Sequence, residues 1–221
     1  MYPSFIVEYG VAPHHLSKEV FIGIVKWLRE TRVEAKHTGR KLEADALKIV
    51  INRIYGALND AMDYLYDPEC TYTVTINLQL LLCGLIEAFE LNNFDVLSAN
   101  TDGLLVRLPL NRQGVFKHIC NEWSVYSKLD LETEKFEKYC RSAVNDYIAV
   151  GYGFYDALQE YNRCGVWIDS KSNTYTTRQA IEDKFIKFKG YFLQDPEYNK
   201  GFVYPVVKKA LKEYFLYGVD I

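Results

Sequence analysis

Cysteine pairs at short spacing are lacking: Cys70, Cys83, Cys120, Cys140 and Cys164 are scattered, odd in number and nowhere in a Cys-x-x-Cys spacing. Neither a disulfide framework nor a cysteine zinc site follows, and a reducing compartment is the default. Long hydrophobic runs are also missing. The longest, near residues 78–86, falls short of the roughly 20 residues that a bilayer-spanning helix needs, and no charged-then-apolar leader opens the chain. The expectation is a soluble, cytoplasmic protein. Nor does one sign of charge dominate: the formal net charge is −3, which argues against a surface that coats nucleic acid all over. With 221 residues, 49% of them hydrophobic, the chain can bury a core of one or two domains.

What charge there is has a place. Lys26, Arg29, Arg32, Lys36, Arg40, Lys41, Lys48 and Arg53 crowd the first quarter, against Glu30, Glu34, Glu43 and Asp45. Ser17 reads as a helix cap, with Lys18 and Glu19 in the first turn and Val20, Ile24, Trp27, Leu28 and Val33 as the apolar face. The pattern breaks at His37-Thr38-Gly39 and returns as a second helix from Leu42 to Gly56. In that helix Leu47, Val50, Ile51 and Ile54 recur at three- and four-residue steps, which turns one stripe toward protein. Lys48, Asn52 and Tyr55 fall on another stripe, where an ammonium and a carboxamide one turn apart suit a small anion such as phosphate. Two antiparallel helices with facing cations make a pocket for a polyanion.

Three segments, in order, carry a resemblance. Lys48, Asn52, Tyr55 and Gly56 resemble the Lys-x3-Asn-Ser-x-Tyr-Gly signature of family B DNA polymerases, with Arg53 in place of Ser. Met1-Tyr2-Pro3-Ser4 resembles the end of that family's motif A, and Ala99-Asn100-Thr101-Asp102-Gly103 resembles its motif C, with Asn100 in place of the first Asp. The resemblance implies template-directed DNA synthesis by transfer of a nucleotide from a dNTP to a primer 3′ hydroxyl. It implies an α+β fold, with an antiparallel palm sheet backed by helices, a two-helix fingers hairpin and the start of a thumb. The segments would be the end of a palm strand with its loop at 1–16, fingers at 17–56, palm at 57–150, and the palm–thumb junction with the thumb base at 151–221. The small size and terse spacing resemble the bacteriophage members.

By the same resemblance, Arg32, Lys36, Lys48 and Asn52 would hold the triphosphate of the incoming nucleotide. Tyr2 would lie under its sugar as a steric gate, and Tyr55 would line the site. A planar guanidinium fork and a mobile ammonium are suited to a triphosphate in any case. Asp102 would be the catalytic metal ligand of a two-Mg2+ centre, whose ions lie roughly 3.5–4 Å apart. The motif A Asp would fall five residues before Tyr2, so the expected partners include an upstream segment with that Asp and an exonuclease domain, beside DNA primer–template and dNTP. A non-catalytic DNA- or nucleotide-binding remnant, or a structural subunit of a split polymerase, is the alternative.

The remaining expectations are structural. A long, very apolar helix over residues 73–91, buried on most sides, precedes two extended runs, 94–98 and 104–108, that flank Asp102 as a hairpin. Residues 115–143 read as a helix and then polar segments, and residues 150–180 as hairpins or an insert. Tyr147 resembles the Tyr of the family's Lys-x-Tyr motif, with Asn145 replacing Lys, and would contact DNA. Lys187 and Lys189 lie on one side of an extended segment and would reach one strand's phosphates. A helix follows from about Pro205. The adjacent His14 and His15, with no carboxylate cluster in sequence, read as polar surface.

Overall fold

The computed structural model describes residues 1–101, 103–143, 146–190 and 205–218. They form two compact units, Met1–Leu131 and Glu132–Ile221, which divide inside the segment expected to be one palm.

The first unit opens with helix α1 (Tyr2–Tyr9), where a strand end was expected. Pro3 had suggested the strand. Instead it occupies the first turn of a helix, where a missing N–H costs nothing. Tyr2, Phe5, Ile6 and Tyr9 repeat at helical spacing, and Phe5 and Ile6 are buried. The helix stops at Gly10 in the left-handed region (φ 64°), its N–H bonded to the Ile6 carbonyl. Helices α2 (Lys18–His37) and α3 (Lys41–Leu58) form the expected antiparallel hairpin. Ser17 caps α2 by accepting from the Val20 N–H at 3.4 Å, and Gly39 makes the turn at φ 74°.

The buried stripe of α2 differs from expectation. Phe21, Val25, Leu28 and Ala35 are buried, whereas Val20, Ile24, Trp27 and Val33 are exposed. Both sets are apolar at steps of three and four. Contact with α1 and α3, which periodicity cannot see, selects between them.

Helix α4 (Pro68–Leu91) begins five residues earlier than expected, at the Asp67-Pro68 pair. Asp67 is the cap, accepting from the Cys70 N–H at 2.9 Å. The helix is long and apolar enough, by length and composition alone, to cross a membrane, with a mean hydropathy of 1.6. The apolar run near 78–86 understates this, because uncharged Thr, Asn, Gln and Cys extend the charge-free stretch from Cys70 to Ile86. Nor is α4 buried on most sides. Val74, Leu78, Leu82, Leu85 and Phe89 enter the core, while Tyr72, Ile76, Leu80 and Cys83 are exposed. Its end packs on strands β1 (Asp95–Asn100) and β2 (Gly103–Arg107), an antiparallel pair with Asn100 opposite Gly103. Helix α5 (Gln113–Ser127) closes the unit, with Trp123 Nε1 donating to the Leu81 carbonyl at 2.7 Å.

In the second unit, β3 (Phe136–Ala143), β4 (Asp146–Gly151) and β7 (Ile186–Lys189) form an antiparallel sheet in the order β3-β4-β7. Helices α6 (Phe154–Cys164), α7 (Arg178–Phe185) and α8 (Pro205–Tyr217) accompany it, with a short pair, β5 (Trp167–Ile168) and β6 (Thr174–Tyr175), between α6 and α7. Ile148, Val150, Ile186, Phe154, Ile181 and Leu216 are its core. In the region read as hairpins or insert, β5 and β6 do form an antiparallel pair, but α6 and the first turn of α7 are helical, and β3 occupies part of a region read as polar. Phe154, Ala157, Leu158 and Tyr161 do carry a helical period, and Gly153 and Gly165 bracket α6. The surrounding Gly, Asn and Ser had masked that signal.

Two polar networks fasten this unit. Asp169 pairs with Lys184 and accepts from the Asn173 side-chain amide and from the backbone N–H groups of Asn173 and Lys171, contacts that hold its carboxyl far below the ordinary range. Glu182 joins Arg178, Lys212 and the Tyr217 hydroxyl. Burial would raise the Glu182 carboxyl, but these partners bring it down.

Candidate nucleotide-binding flank of the helical hairpin

The hairpin seam sets the geometry. On α2 the stripe Phe21, Val25, Leu28, Ala35 continues through Arg32, four residues after Leu28 and three before Ala35. On α3, Ala44, Ile51 and Leu58 are buried and Leu47 and Ile54 half-buried at the same steps. At 100° per residue, Glu34 and Glu43 fall on one flank of this seam, and Lys36, Lys48, Asn52 and Tyr55 on the other. Arg40 marks the first flank by joining Glu34 at 3.2 Å to Glu43 at 2.8 Å across the turn.

Helix α1 marks the second flank. Arg29, one heptad before Lys36, approaches Glu8 at 3.7 Å. The rings of Tyr2 and Tyr55 stack with centroids 4.1 Å apart and an interplanar angle of 3°. The Tyr55 hydroxyl lies 2.5 Å from Thr75 Oγ1 of α4, which fixes the ring from its far end. Lys48 and Asn52 are exposed. Tyr2, Tyr55, Asn52, Lys48 and Lys36 therefore share one flank, with stacked phenol rings at its base and cations toward its tip.

Arg32 is placed differently from the other cations. Its guanidinium enters the seam, where Nε is buried without a hydrogen-bond partner. A buried donor left unpaired costs about 1–3 kcal/mol, and an acceptor brought to the seam recovers it. Arg53, which stands where the motif has Ser, points elsewhere: it reaches Asp63 at 2.8 Å and Asp60 at 3.3 Å and ties the loop after α3. Sequence reading gave it no task, because its partners lie seven and ten residues on, beyond one helical turn.

The strands expected around Asp102 form, but Asp102 lies outside the described residues. Beside it, Asn100 Oδ1 accepts from the Thr101 N–H at 2.7 Å. Arg112 secures the base of this pair by donating to the Asn92 and Asn93 carbonyls at 2.6 and 3.0 Å, with its guanidinium over the Phe94 ring at 4.4 Å. Among the described residues no group of three or more His, Cys, Asp or Glu could hold a metal. Asn145 also lies outside the described residues. In the second unit Tyr147 stands opposite Lys189 in the β4–β7 register, and Lys187 and Lys189 are exposed on alternate positions of β7.

His14 has a partner that sequence did not reveal. Its backbone N–H and Nδ1 both meet Asp67 Oδ2 at 2.8 Å, and His15 Nε2 lies 2.8 Å from the Tyr64 carbonyl. Burial would raise the Asp67 carboxyl, but N–H donors from Cys70 and His14, with the imidazole, bring it down to about 2. The hydrogen bond to Asp67, and then the charges of Asp67 and Glu69, raise His14 above its ordinary value of 6.5. The sign follows from linkage: the His14 contribution is complete below 6.5 and is lost as pH rises through its raised value, while that of Asp67 is lost as pH falls toward about 2. We expect the unfolding midpoint to decline as pH rises above 6.5, and His14→Ala to flatten that decline. An unchanged decline in His14→Ala would assign it to other groups.

Comparison with protein-family models and with curated proteins finds no match. Among solved structures, the chain is similar to the family B DNA polymerase from the hyperthermophilic archaeon Pyrobaculum calidifontis, with 18% sequence identity and a TM-score of 0.50. The likeness covers 69% of this chain and 25% of that polymerase's chain. At that identity it is a likeness of fold, the α+β fold of part of a family B DNA polymerase.

Proposed function

We propose that the chain takes part in template-directed DNA synthesis, binding a dNTP on the α1-facing flank of the α2–α3 hairpin. The observation that carries this reading is the meeting of Tyr2 and Tyr55, 53 residues apart in sequence, as a parallel ring pair at 4.1 Å. That pair makes a flat apolar floor at the foot of a flank bearing Lys36, Lys48 and Asn52. A nucleotide offers matching parts, an apolar sugar face for the rings and a polyanion for the ammonium and guanidinium groups. In this reading Lys36 and Lys48 neutralise phosphate charge, Asn52 donates a hydrogen bond, and Arg32 supplies a fork from the seam. Tyr2 excludes a 2′ hydroxyl by occupying its space.

Bound Mg2+ would supply charge stabilisation on the phosphates, and Asp102 is the proposed ligand in this chain. A two-ion centre needs a further carboxylate, for which a segment carrying the motif A Asp is the proposed partner. Tyr147, Lys187 and Lys189 are proposed to contact DNA. Kinship with bacteriophage enzymes and a cytoplasmic location belong to the same proposal.

Primer extension tests it, with labelled primer–template, dNTPs and Mg2+, with and without a segment carrying the motif A Asp, fused or in trans. Extension that requires the Asp102 carboxylate supports the reading. We expect Tyr2→Val to relax sugar selection, so that ribonucleotides enter where the parent refuses them. Unchanged selection in Tyr2→Val would remove the gate. Nucleotide binding with no extension in any arrangement would favour a non-catalytic binding module.

A further inference from the structure

Two arginines of the hairpin make tight ion pairs, and a third does not. Arg40 meets Glu43 and Arg53 meets Asp63, each at 2.8 Å. Arg29 Nη1 stays 3.7 Å from Glu8 Oε1, beyond hydrogen-bond range. The two side chains are 31% and 35% exposed, so charge alone holds them and water competes for both ends. Glu8 also sits where its own helix disfavours it. It lies in the last turn of α1, which carries no basic residue, and a carboxylate there is repelled by the negative end of the helix dipole. Helix stability therefore does not call for an acid at this position. Arg29, in turn, faces the nucleotide flank. It stands one heptad before Lys36. Arg40 joins Glu34 to Glu43 across the turn, so Arg29, five residues before Glu34, is level with Lys48, five residues after Glu43. Like charges level with each other on adjoining helices favour an anion beside them. In the chain by itself Glu8 is that anion for Arg29.

We propose that Arg29 is a further phosphate-binding residue of this flank and that Glu8 is its internal competitor, a carboxylate that occupies Arg29 until the phosphates of a nucleotide replace it. The inference rests on the nucleotide reading above and adds to it one residue and one built-in inhibitory contact. A carboxylate offers a single charge, whereas a terminal phosphate carries about −1.5 to −2 and three acceptor oxygens. A guanidinium meets such a group with two parallel N–H bonds. The exchange thus replaces a contact without a hydrogen bond by one with two. Glu8 stays tethered to α1, so it returns to Arg29 when the nucleotide leaves. Singly charged anions gain little over it, which keeps the flank for phosphates.

Titration calorimetry of the full chain with dATP and Mg2+ is the test. Glu8→Gln, which removes the charge and keeps the size, should bind dATP about threefold more tightly, the scale of releasing one exposed ion pair. Neutralising an acid in a last helical turn relieves the dipole, and a gain in affinity does not arise from misfolding. Arg29→Ala should bind at least about tenfold more weakly, and Arg29→Lys, which keeps the charge without the fork, should recover part of the loss. With Arg29→Ala already in place, Glu8→Gln should no longer raise affinity, because the competitor has lost its target. Glu30→Gln makes the same change of net charge at an exposed acid beside Lys26 and should bind like the parent. No gain in Glu8→Gln, an equal gain with and without Arg29, or unchanged affinity in Arg29→Ala would overturn the proposal. If Lys48→Ala weakens dATP binding while the Glu8 and Arg29 variants match the parent, this inference falls and the nucleotide reading stands. A parent chain that does not bind dATP removes both.

Discussion

Phe89→Ala is expected to lower the stability of the first unit by about 3–5 kcal/mol, the cost of truncating a fully buried aromatic side chain. Phe89 is 2% exposed and sits where three elements join, its ring 5.7 Å from Phe94 at the start of β1 and 5.2 Å from Phe116 of α5. β1 and β2 form a two-stranded sheet, and a pair of strands without further support is marginal in water. The ring that holds them against α4 therefore contributes more than its own burial. Urea unfolding with near-ultraviolet detection measures the loss. Phe89→Leu, which keeps most of the volume, should cost roughly 1.5 kcal/mol or less. A loss below about 1 kcal/mol for Phe89→Ala would mean that the junction collapses around the gap.

Nucleotide affinity is expected to fall by about 1.5–3 kcal/mol in Lys48→Ala, the scale of one lost hydrogen bond to a charged group. Lys48 is exposed on the flank that carries the Tyr2–Tyr55 pair, so its removal leaves the seam intact and isolates the charge. Lys48→Arg should recover part of the affinity, since charge is kept while the donor geometry changes. Ile49→Ala is the matched control. Ile49 is 71% exposed on the same helix but away from that flank, and its replacement should leave binding unchanged. Titration calorimetry at two salt concentrations checks both, with the difference between parent and Lys48→Ala shrinking as salt rises. Indistinguishable affinities at low salt would remove Lys48 from the site.

The hairpin was legible in the sequence because its determinants are local: a Ser cap, a Gly turn, and Lys48 and Asn52 one turn apart. Its flank was legible only in part. Periodicity puts Val20, Ile24, Trp27 and Leu28 on the inner face of α2; Leu28 is buried, but with Phe21 and Val25 rather than with the other three, because two apolar stripes one residue apart are equivalent until a partner helix chooses. Helix α1 is that partner. It was itself read as a strand, since Pro3 fits either state and only the burial of Phe5 and Ile6 distinguishes them. The partners of Arg53, His14 and Arg112 lie 7 to 53 residues away in sequence, outside any spacing rule. The stacking of Tyr139 on Tyr147, ring centroids 5.0 Å apart, needed the register of β3 on β4 before the two rings could be set together.

The Tyr9 hydroxyl donates to the carbonyl of Ser127, 118 residues further along the chain, at 3.0 Å. During synthesis at about 5–20 residues per second, roughly 6–24 s separate the making of these two groups. The α2–α3 hairpin closes through near neighbours in sequence and can form within that interval. Helix α1 packs on α2, α3 and α4, so most of its seat is made before the Ser127 carbonyl exists. Until the end of α5 emerges, the Tyr9 hydroxyl lacks its Ser127 acceptor, and the last turn of α1 stands least secured for that interval.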